Sequence, residues 1–501
     1  MFLESMLMAL DVKVLFLVAI GSAAGVTIGA LPGLSVSMAT ALLVSITYGW
    51  SMEYALAMII GVFCGGVFGG SISAVLLNIP GAPGAICTGF DGYPLAQRGE
   101  ASFALGLARI GSFIGGIIGI ICLATFAPII ARIALAFGPF EYLSLVILGL
   151  ITIGNLSQGS FLKALISGLI GLLISCVGMD QIYGIGRFTF GNINLAAGIG
   201  LIPCLIGFFG MSEVLVNLKT PSGKAEIIKQ LGKVIPKMST FIKMLPLILR
   251  SSLLGTWIGA LPGVGGAVAA LLAYDNAKRT VKNPSRPFGE GAYEGVVAPE
   301  VANNAGIGGA LIPLLTLGIP GDAVTAIMIG AFMTHGLRPG PLLMVQSPKL
   351  FWYIVVLLVV ANIMFLFIGL AATKYFPRIL MISKETLMPI VIVLCVVGAY
   401  GINNSTFDIL VMVLAGVVGY ILKLANYPVG PLVIGLVLGP LADGELRRSV
   451  MISKGDFFGT FLHHPISIII LLFALLQILN QTTVFKNFSE KVIGTVVKKN
   501  K

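Results

Sequence analysis

The chain has 501 residues, of which 57% are hydrophobic and only 10% are charged. Such a chain has too few polar side chains to cover a soluble core of its size, so the composition excludes a soluble globular protein and indicates a polytopic membrane protein. The formal net charge of +11 does not indicate nucleic-acid binding, because the lysines flank apolar segments without interleaved aromatic residues.

Apolar runs of about 17–25 residues, the length that crosses a bilayer, recur along the whole chain. They predict an all-α polytopic membrane protein with about ten to twelve transmembrane helices. Residues 12–30 are interpreted as a membrane helix and not as a cleavable signal peptide, because they belong to a repeated unit described below. Six scattered cysteines and three histidines have no metal-ligand spacing, so no metal site or cofactor is expected.

The first half of the chain contains two proline–glycine pairs inside apolar runs. GALPG at 29–33 contains Pro32 and Gly33, and IPG at 79–81 contains Pro80 and Gly81. Proline removes a helical hydrogen bond and glycine permits other backbone angles, so both motifs predict helix breaks. Polar residues lie near the two motifs: Ser35, Ser37, Ser71, Ser73, Asn78 and Thr88.

A basic, polar segment at residues 217–241 divides the chain near its middle and is interpreted as a linker. From residue 219 to residue 250, the only acidic residue is Glu226, against the basic residues Lys219, Lys224, Lys229, Lys233, Lys237, Lys243 and Arg250. The positive-inside rule predicts that this linker and the lysine-rich C-terminal tail are cytoplasmic.

The second half repeats both motifs in the same order, with GALPG at 259–263 and IPG at 319–321. The stretch GGSISAVLLNIPGAPGA (69–85) also aligns without a gap on GALIPLLTLGIPGDAVT (309–325). Internal duplication explains two ordered motifs better than chance, and it is a common plan of secondary transporters. The predicted organisation is a first repeat at 1–216, the linker at 217–241, a second repeat at 242–442, and an extra helix with a basic tail at 443–501.

The charges around the two GALPG motifs favour an inverted repeat. Lys278, Arg279, Lys282 and Arg286 follow the second motif, whereas the first is flanked only by Lys13 and Glu53. The positive-inside rule therefore predicts that the two hairpins enter the membrane from opposite faces. One observation opposes this scheme. Arg447, Arg448 and Lys454 lie in a predicted loop, and the scheme places this loop on the outer side of the membrane.

The four breaks predict one polar site at membrane depth. A freed backbone group in hydrocarbon costs several kcal/mol, so a break survives only where protein, water or a ligand satisfies it. Proline suits the first turn of the following helix, whose amides bind carboxylate or phosphate, and released carbonyls suit a cation such as sodium. The predicted substrate-binding residues are Pro32, Gly33, Ser35, Ser71, Ser73, Asn78, Pro80, Gly81, Pro262, Gly263, Asn303, Asn304, Pro320, Gly321 and Thr325.

Glu300, Thr316 and Asp322 are the predicted cation-binding residues, because carboxylates within membrane spans are costly and mark ion or proton pathways. Asp322 also fits the start of a helix, and Glu294 and Asp408 fit the membrane interface. Arg98 and Arg109, interpreted as loop residues, fit either substrate neutralisation or positive-inside anchoring. Proline–glycine kinks also serve close helix packing, and Asn303 and Asn304 also fit hydrogen bonds between helices.

Two long stretches resemble one known family. GGSISAVLLNIPGAPGAICTGFDGYPLAQRGEASFALGLA (69–108) and APEVANNAGIGGALIPLLTLGIPGDAVTAIMIGAFMTHGLRPGP (298–341) are similar to the large membrane subunit of the tripartite tricarboxylate transporters, the TctA type. The resemblance extends over nearly the whole chain and includes both GALPG motifs.

This resemblance implies an ion-coupled secondary transporter of the bacterial inner membrane. It implies as partners a small membrane subunit of the TctB type and a periplasmic solute-binding protein of the TctC type, which delivers citrate or another carboxylate. Such systems take their energy from a sodium or proton gradient and not from ATP. The sequence agrees, because it contains no Walker-type phosphate-binding motif. An elevator-like movement of the hairpins against a scaffold is a further hypothesis.

Three rival functions remain open from the sequence. A channel requires a continuous pore and no coupling ion. A membrane-embedded enzyme requires clustered catalytic residues, and none have catalytic spacing. A transporter of the same family for a different solute shares every motif described above.

Overall fold

The computed structural model describes residues 2–156, 160–180, 182–219, 236–371, 375–382 and 384–479. Within these residues the chain is almost entirely helical, which confirms the predicted all-α membrane fold. Most of the predicted basic linker, residues 220–235, and the C-terminal tail from residue 480 lie outside the described residues.

The described part of the chain contains 24 α-helices and one two-stranded antiparallel ribbon. Up to residue 219 the elements are α1 (Phe2–Ala9), α2 (Val12–Ala30), α3 (Val36–Ile46), α4 (Met52–Leu77), α5 (Ile86–Leu95), α6 (Ala101–Ala134), α7 (Pro139–Leu156), α8 (Phe161–Ser175), β1 (Gly178–Met179), β2 (Gly186–Arg187), α9 (Ile193–Ala196), α10 (Leu201–Leu205) and α11 (Ser212–Lys219). From residue 236 they are α12 (Met238–Lys243), α13 (Leu245–Gly259), α14 (Gly265–Thr280), α15 (Tyr293–Leu317), α16 (Ala323–Thr334), α17 (Pro341–Gln346), α18 (Pro348–Ala371), α19 (Phe376–Ile379), α20 (Lys384–Asn403), α21 (Thr406–Leu424), α22 (Val429–Ile452), α23 (Phe457–Leu462) and α24 (Pro465–Leu479).

Helical geometry also varies between these elements. A short 3-10 helix, Pro83–Ala85, leads directly into α5, and π-helical turns follow α5 and α10 at Ala96–Glu100 and Ile206–Met211. Eight helical segments in the described residues are long and apolar enough to cross a membrane, and five shorter helices are also apolar. The predicted number of ten to twelve spans lies between the eight long helices alone and the total when the five shorter apolar helices are included.

The helices form two compact units. The first comprises the described residues of Met1–Leu135 and Ile199–Ala425, and the second comprises the described residues of Ala136–Gly198 and Asn426–Lys501. Each unit therefore combines helices from both predicted repeats, and the repeat boundaries at 216 and 242 stay a prediction.

Helices α2 and α4 pack closely and run parallel in the first unit. An added Cβ at Gly21, Gly25 and Gly29 would meet the carbonyl oxygens of Met58, Val62 and Gly66 in turn. The residue numbers increase in the same direction along both helices, so α3 must lead the chain back from the end of α2 to the start of α4. The turn at residues 31–35 therefore lies near the middle of the 26-residue α4. This arrangement is the predicted re-entrant hairpin.

The second half repeats this packing with α13 on α15. An added Cβ at Gly255 would overlap the Ala302 carbonyl, and one at Gly259 would meet the Gly306 carbonyl at 2.6 Å. These positions match Gly25 and Gly29 when the two GALPG motifs are aligned. The two halves thus share one helix-packing mode, and the inverted orientation of the halves stays a prediction.

Two predictions about arginines are wrong. Arg447 and Arg448 lie within α22 of the second unit and not in a loop, because acidic partners one turn away satisfy them: Arg447 pairs with Asp443 at 3.0 Å and Arg448 with Glu445 at 2.7 Å. Arg109 is buried within α6, whereas Arg98 is exposed in the π-helical turn.

Candidate functional site

All four proline–glycine motifs interrupt helices, as predicted. The breaks separate α2 from α3, α4 from the 3-10 helix before α5, α13 from α14, and α15 from α16. None of the four prolines lies in the first turn of the following helix, so that detail of the prediction is wrong. After Pro32 and Pro262 the reason is Gly33 at φ 91° and Gly263 at φ 76°, since residues with left-handed angles delay the start of the next helix.

The breaks meet in pairs within each half. The Gly263 amide donates a hydrogen bond of 3.3 Å to the carbonyl of Pro320, which joins the third break to the fourth. An added Cβ at Gly81 would overlap the Gly29 carbonyl, and one at Gly321 would lie 2.7 Å from the Gly259 carbonyl. Only a glycine fits where one break approaches another so closely, which gives Gly81 and Gly321 a structural role.

An amide that the sequence did not indicate satisfies the first break. Asn217 on α11 donates hydrogen bonds from its Nδ2 to the carbonyls of Gly33 at 2.8 Å and Glu213 at 2.9 Å. The freed carbonyl of Gly33 therefore has a protein partner, as a break at membrane depth requires. The contact joins residues 184 positions apart, so no local pattern announces it.

Two of the new helix N-termini are capped by their own side chains. The Ser35 Oγ accepts a hydrogen bond of 3.1 Å from the Met38 amide at the start of α3. Asp322 and Thr325 form a capping box at the start of α16, in which the Asp322 Oδ1 accepts from the Thr325 amide at 2.7 Å. The Asp322 carboxylate also places negative charge at this end, which opposes anion binding there.

The other two N-termini lack a side-chain cap and meet at Asn303. Neither the 3-10 helix before α5 nor α14 begins with a side-chain cap hydrogen bond. An added Cβ at Gly84 or at Gly266 would overlap the Asn303 side-chain amide, so this amide lies between both helix starts. Asn303 is 5% exposed, and its side chain makes no hydrogen bond among the described residues.

The remaining predicted binding residues differ in accessibility. Ser71 and Ser73 are buried and donate to carbonyls of their own helix, those of Phe68 and Gly70. Asn78 ends α4 in the left-handed conformation, and the second break is exposed, with Ile79 at 41%. By contrast, the fourth break is buried: Ile319 is 0% exposed, and Pro320 and Gly321 are also buried.

The predicted cation residues do not form one site. Glu300 and Thr316 both lie on α15, and sixteen residues of helix place them about 24 Å apart. Thr316 is buried and donates its hydroxyl to the Ile312 carbonyl of its own helix at 2.7 Å. Glu300 is fully buried, and its carboxylate accepts hydrogen bonds from Thr88 on α5 and Ser112 on α6.

Two other carboxylates have local partners. Glu294 at the start of α15 accepts hydrogen bonds from Ser285, and Asp408, 5% exposed, accepts from the Asn403 side chain at 2.8 Å. No group of three or more His, Cys, Asp or Glu side chains in the described ranges could hold a metal ion.

Sequence reasoning missed Asp91, a buried carboxylate in the middle of α5. Its Oδ1 accepts from three backbone amides, Gly289 at 2.8 Å, Gly291 at 2.9 Å and Ala292 at 2.7 Å, and its Oδ2 accepts from the Tyr274 hydroxyl. Asp91 thus fixes the loop that leads into α15, the helix that carries Asn303. A lone aspartate after an apolar stretch gives no signal of this role, because its partners lie about 200 residues away.

One cavity of about 500 Å³ lies elsewhere in the first unit. Its lining includes His335, Lys349 and Tyr353, and none of the predicted binding residues. Lys349 forms an ion pair with Glu4 at 3.1 Å, and Glu53 also lines the cavity. These two carboxylates offset the positive charge of Lys349.

Comparison with known proteins agrees with the architecture. The family model of the tripartite tricarboxylate transporter TctA family matches residues 15–434. The chain belongs to the TctA family. This family member is a multi-pass membrane protein and the large subunit of a tripartite transporter, as the sequence resemblance predicted.

Two relatives of the TctA chain come from Agrobacterium vitis. An uncharacterized 52.8 kDa protein in the TAR-I ttuC' 3'region is 37% identical over 448 residues, which cover 89% of each chain. An uncharacterized protein in the TAR-II ttuC' 3'region is 39% identical over 213 residues, 42% of this chain and 87% of that protein. No solved structure matches the chain.

Proposed function

We propose that this TctA chain is the permease of a sodium-coupled importer for a tricarboxylate or dicarboxylate such as citrate. The observation that carries the proposal is the meeting of two uncapped helix N-termini at the Asn303 amide. Each helix end favours an anion by about 0.3–2 kcal/mol, and a hydrogen bond from a neutral amide to a carboxylate contributes about 1.5–3 kcal/mol. Together these groups bind a carboxylate without a fixed cation.

The partners follow from membership of a tripartite family. A periplasmic solute-binding protein of the TctC type delivers the carboxylate, and a small membrane subunit of the TctB type completes the complex in the bacterial inner membrane. The solute-binding protein sets much of the substrate selectivity, since the site at Asn303 recognises the carboxylate group and not the rest of the molecule.

The accessibility of the two IPG motifs supports a transporter over an open channel. Ile79 in the second break is 41% exposed, whereas Ile319 in the fourth break is 0% exposed. A channel would open a continuous pore through both ends of the site, whereas a transporter opens one end at a time.

Uptake into proteoliposomes tests this function. The chain is reconstituted with its small subunit, the binding protein is added outside, and labelled citrate is measured inside the vesicles. We expect an inward sodium gradient to raise the initial rate at least tenfold over an equal potassium gradient.

Two results would contradict the proposal. Uptake that continues unchanged after both the sodium and the proton gradients are collapsed would indicate a channel. Uptake without sodium dependence at any pH would exclude sodium as the coupling ion.

A further inference from the structure

The Glu300 carboxylate is held by hydroxyl groups from two other helices. Its Oε1 accepts from the Thr88 hydroxyl at 2.6 Å, and its Oε2 accepts from the Ser112 hydroxyl at 2.7 Å. Glu300 and both hydroxyl residues are 0% exposed. Four oxygen atoms from α5, α6 and α15 therefore lie together in the interior of the first unit.

This carboxylate has no fixed counter-charge. None of the described lysine, arginine or histidine side chains forms an ion pair with Glu300. A buried charge is stable only when it is paired, coordinated to a cation or neutralised. Because its partners in the described residues are neutral hydroxyl groups, Glu300 is suited to take up either a cation or a proton.

A fifth buried oxygen lies one helical turn further along α15. Asn304 is 0% exposed, and its Nδ2 donates to the Glu300 carbonyl at 3.0 Å. The Asn304 Oδ1 is buried and has no hydrogen-bond partner. Residues four apart share one face of a helix, so Asn304 lies on the face of α15 that carries Glu300.

The carboxylate also lies next to the proposed substrate site. Glu300 and Asn303 are three residues apart on α15, which brings their Cβ atoms to about 5–6 Å. Thr88 on α5 follows Gly84 by four residues, and Gly84 contacts the Asn303 amide. The cluster at Glu300 and the anion site therefore share α15 and the segment in which the 3-10 helix leads into α5.

We propose that sodium binds at Glu300, with Thr88, Ser112 and the Asn304 Oδ1 as further ligands, and that this binding permits a carboxylate to bind at Asn303. This inference rests on the proposed function. The hydroxyl groups rotate so that their lone pairs face the ion, since a hydroxyl both donates and accepts. Without sodium, the negative Glu300 repels the anion one turn away, and with sodium that repulsion is removed.

The size of the effect follows from Coulomb's law. Two unit charges roughly 6–8 Å apart at an effective dielectric constant of about 20 change a dissociation constant by roughly 30- to 100-fold. Sodium is therefore expected to tighten citrate binding to the wild-type complex by this factor. Glu300→Gln, which removes the charge, should bind citrate tightly without sodium and show no further tightening when sodium is added.

Calorimetry with citrate as the probe, with sodium or choline as the cation, tests this prediction. Glu294→Gln is the matched control, because it removes another carboxylate of the same helix and should retain the wild-type response to sodium. A Glu300→Gln variant that keeps the wild-type sodium response would overturn the inference. If acidification, and not sodium, tightens citrate binding to the wild type, the cation is a proton and the sodium assignment is wrong.

A second measurement without citrate separates the ion site from the proposed function. Sodium, compared with potassium, should raise the unfolding temperature of the wild type, because a ligand that binds only the folded state stabilises it. Ser112→Ala should need about tenfold more sodium for the same shift, and Glu300→Gln should show none. Stabilisation by sodium with no citrate binding would contradict the proposed substrate alone, whereas no stabilisation of the wild type would overturn the ion site.

Discussion

Asn303→Asp is expected to weaken citrate binding by at least 100-fold. The substitution keeps the size of the side chain but replaces amide donors with a second carboxylate between the starts of the 3-10 helix and α14. Asn303→Ala, which removes the donors without adding charge, should weaken binding by roughly 10- to 150-fold, the value of a charge-assisted hydrogen bond of about 1.5–3 kcal/mol. The measurements are the citrate dissociation constant and the KM for uptake.

Asn362→Ala is the matched control for Asn303→Ala. Asn362 is also a buried membrane-helix amide that faces a glycine, because an added Cβ at Gly116 would overlap its Oδ1. It lies on α18 and donates to the Leu358 carbonyl of its own helix at 2.8 Å. Equal losses of citrate affinity in the two alanine variants, at equal unfolding temperature, would show that Asn303 has no direct role in binding.

Gly84→Ala and Gly266→Ala are expected to abolish most uptake. A single added methyl group at either position overlaps the Asn303 amide, so the amide must move out of the space between the two helix ends. Gly444→Ala in α22 is the control, because no atom lies within 4 Å of a Cβ there. This variant should retain uptake and gain up to about 1 kcal/mol of stability from the better helix former.

The double variant Gly84→Ala/Asn303→Ala distinguishes a steric effect from a general loss of folding. Truncation of Asn303 gives the new methyl group space, so the unfolding temperature should return toward that of Asn303→Ala while uptake stays low. Non-additive stability of this kind is the signature of residues in contact. Strictly additive effects would contradict the contact between Gly84 and Asn303.

The sequence predicted the fold class and the position of all four breaks, because apolar length and proline–glycine chemistry are local properties. It did not predict which of the new helix starts are capped by a side chain. Ser35 and Asp322 cap two of the helix starts, and only their contacts distinguish a cap from a ligand. The prolines were expected in the first helical turns, and the left-handed glycines at 33 and 263 explain two of those errors.

Contacts between distant segments account for the residues that the sequence missed. Asn217 satisfies the Gly33 carbonyl, and Asp91 binds three amides of the loop before α15. Both residues are single polar side chains in ordinary local surroundings, and their roles depend on partners more than 180 positions away. Glu300 was predicted for its charge, but its hydroxyl partners on α5 and α6 became known only from the fold.

The position of bound citrate would show directly whether Asn303 binds the substrate, which is the claim on which the proposed function rests. A cryo-electron microscopy map of the complex with citrate and sodium should show a carboxylate group beside the starts of the 3-10 helix and α14, within hydrogen-bond distance of the Asn303 amide. Citrate density in the cavity lined by His335, Lys349 and Tyr353, with none at Asn303, would contradict the claim.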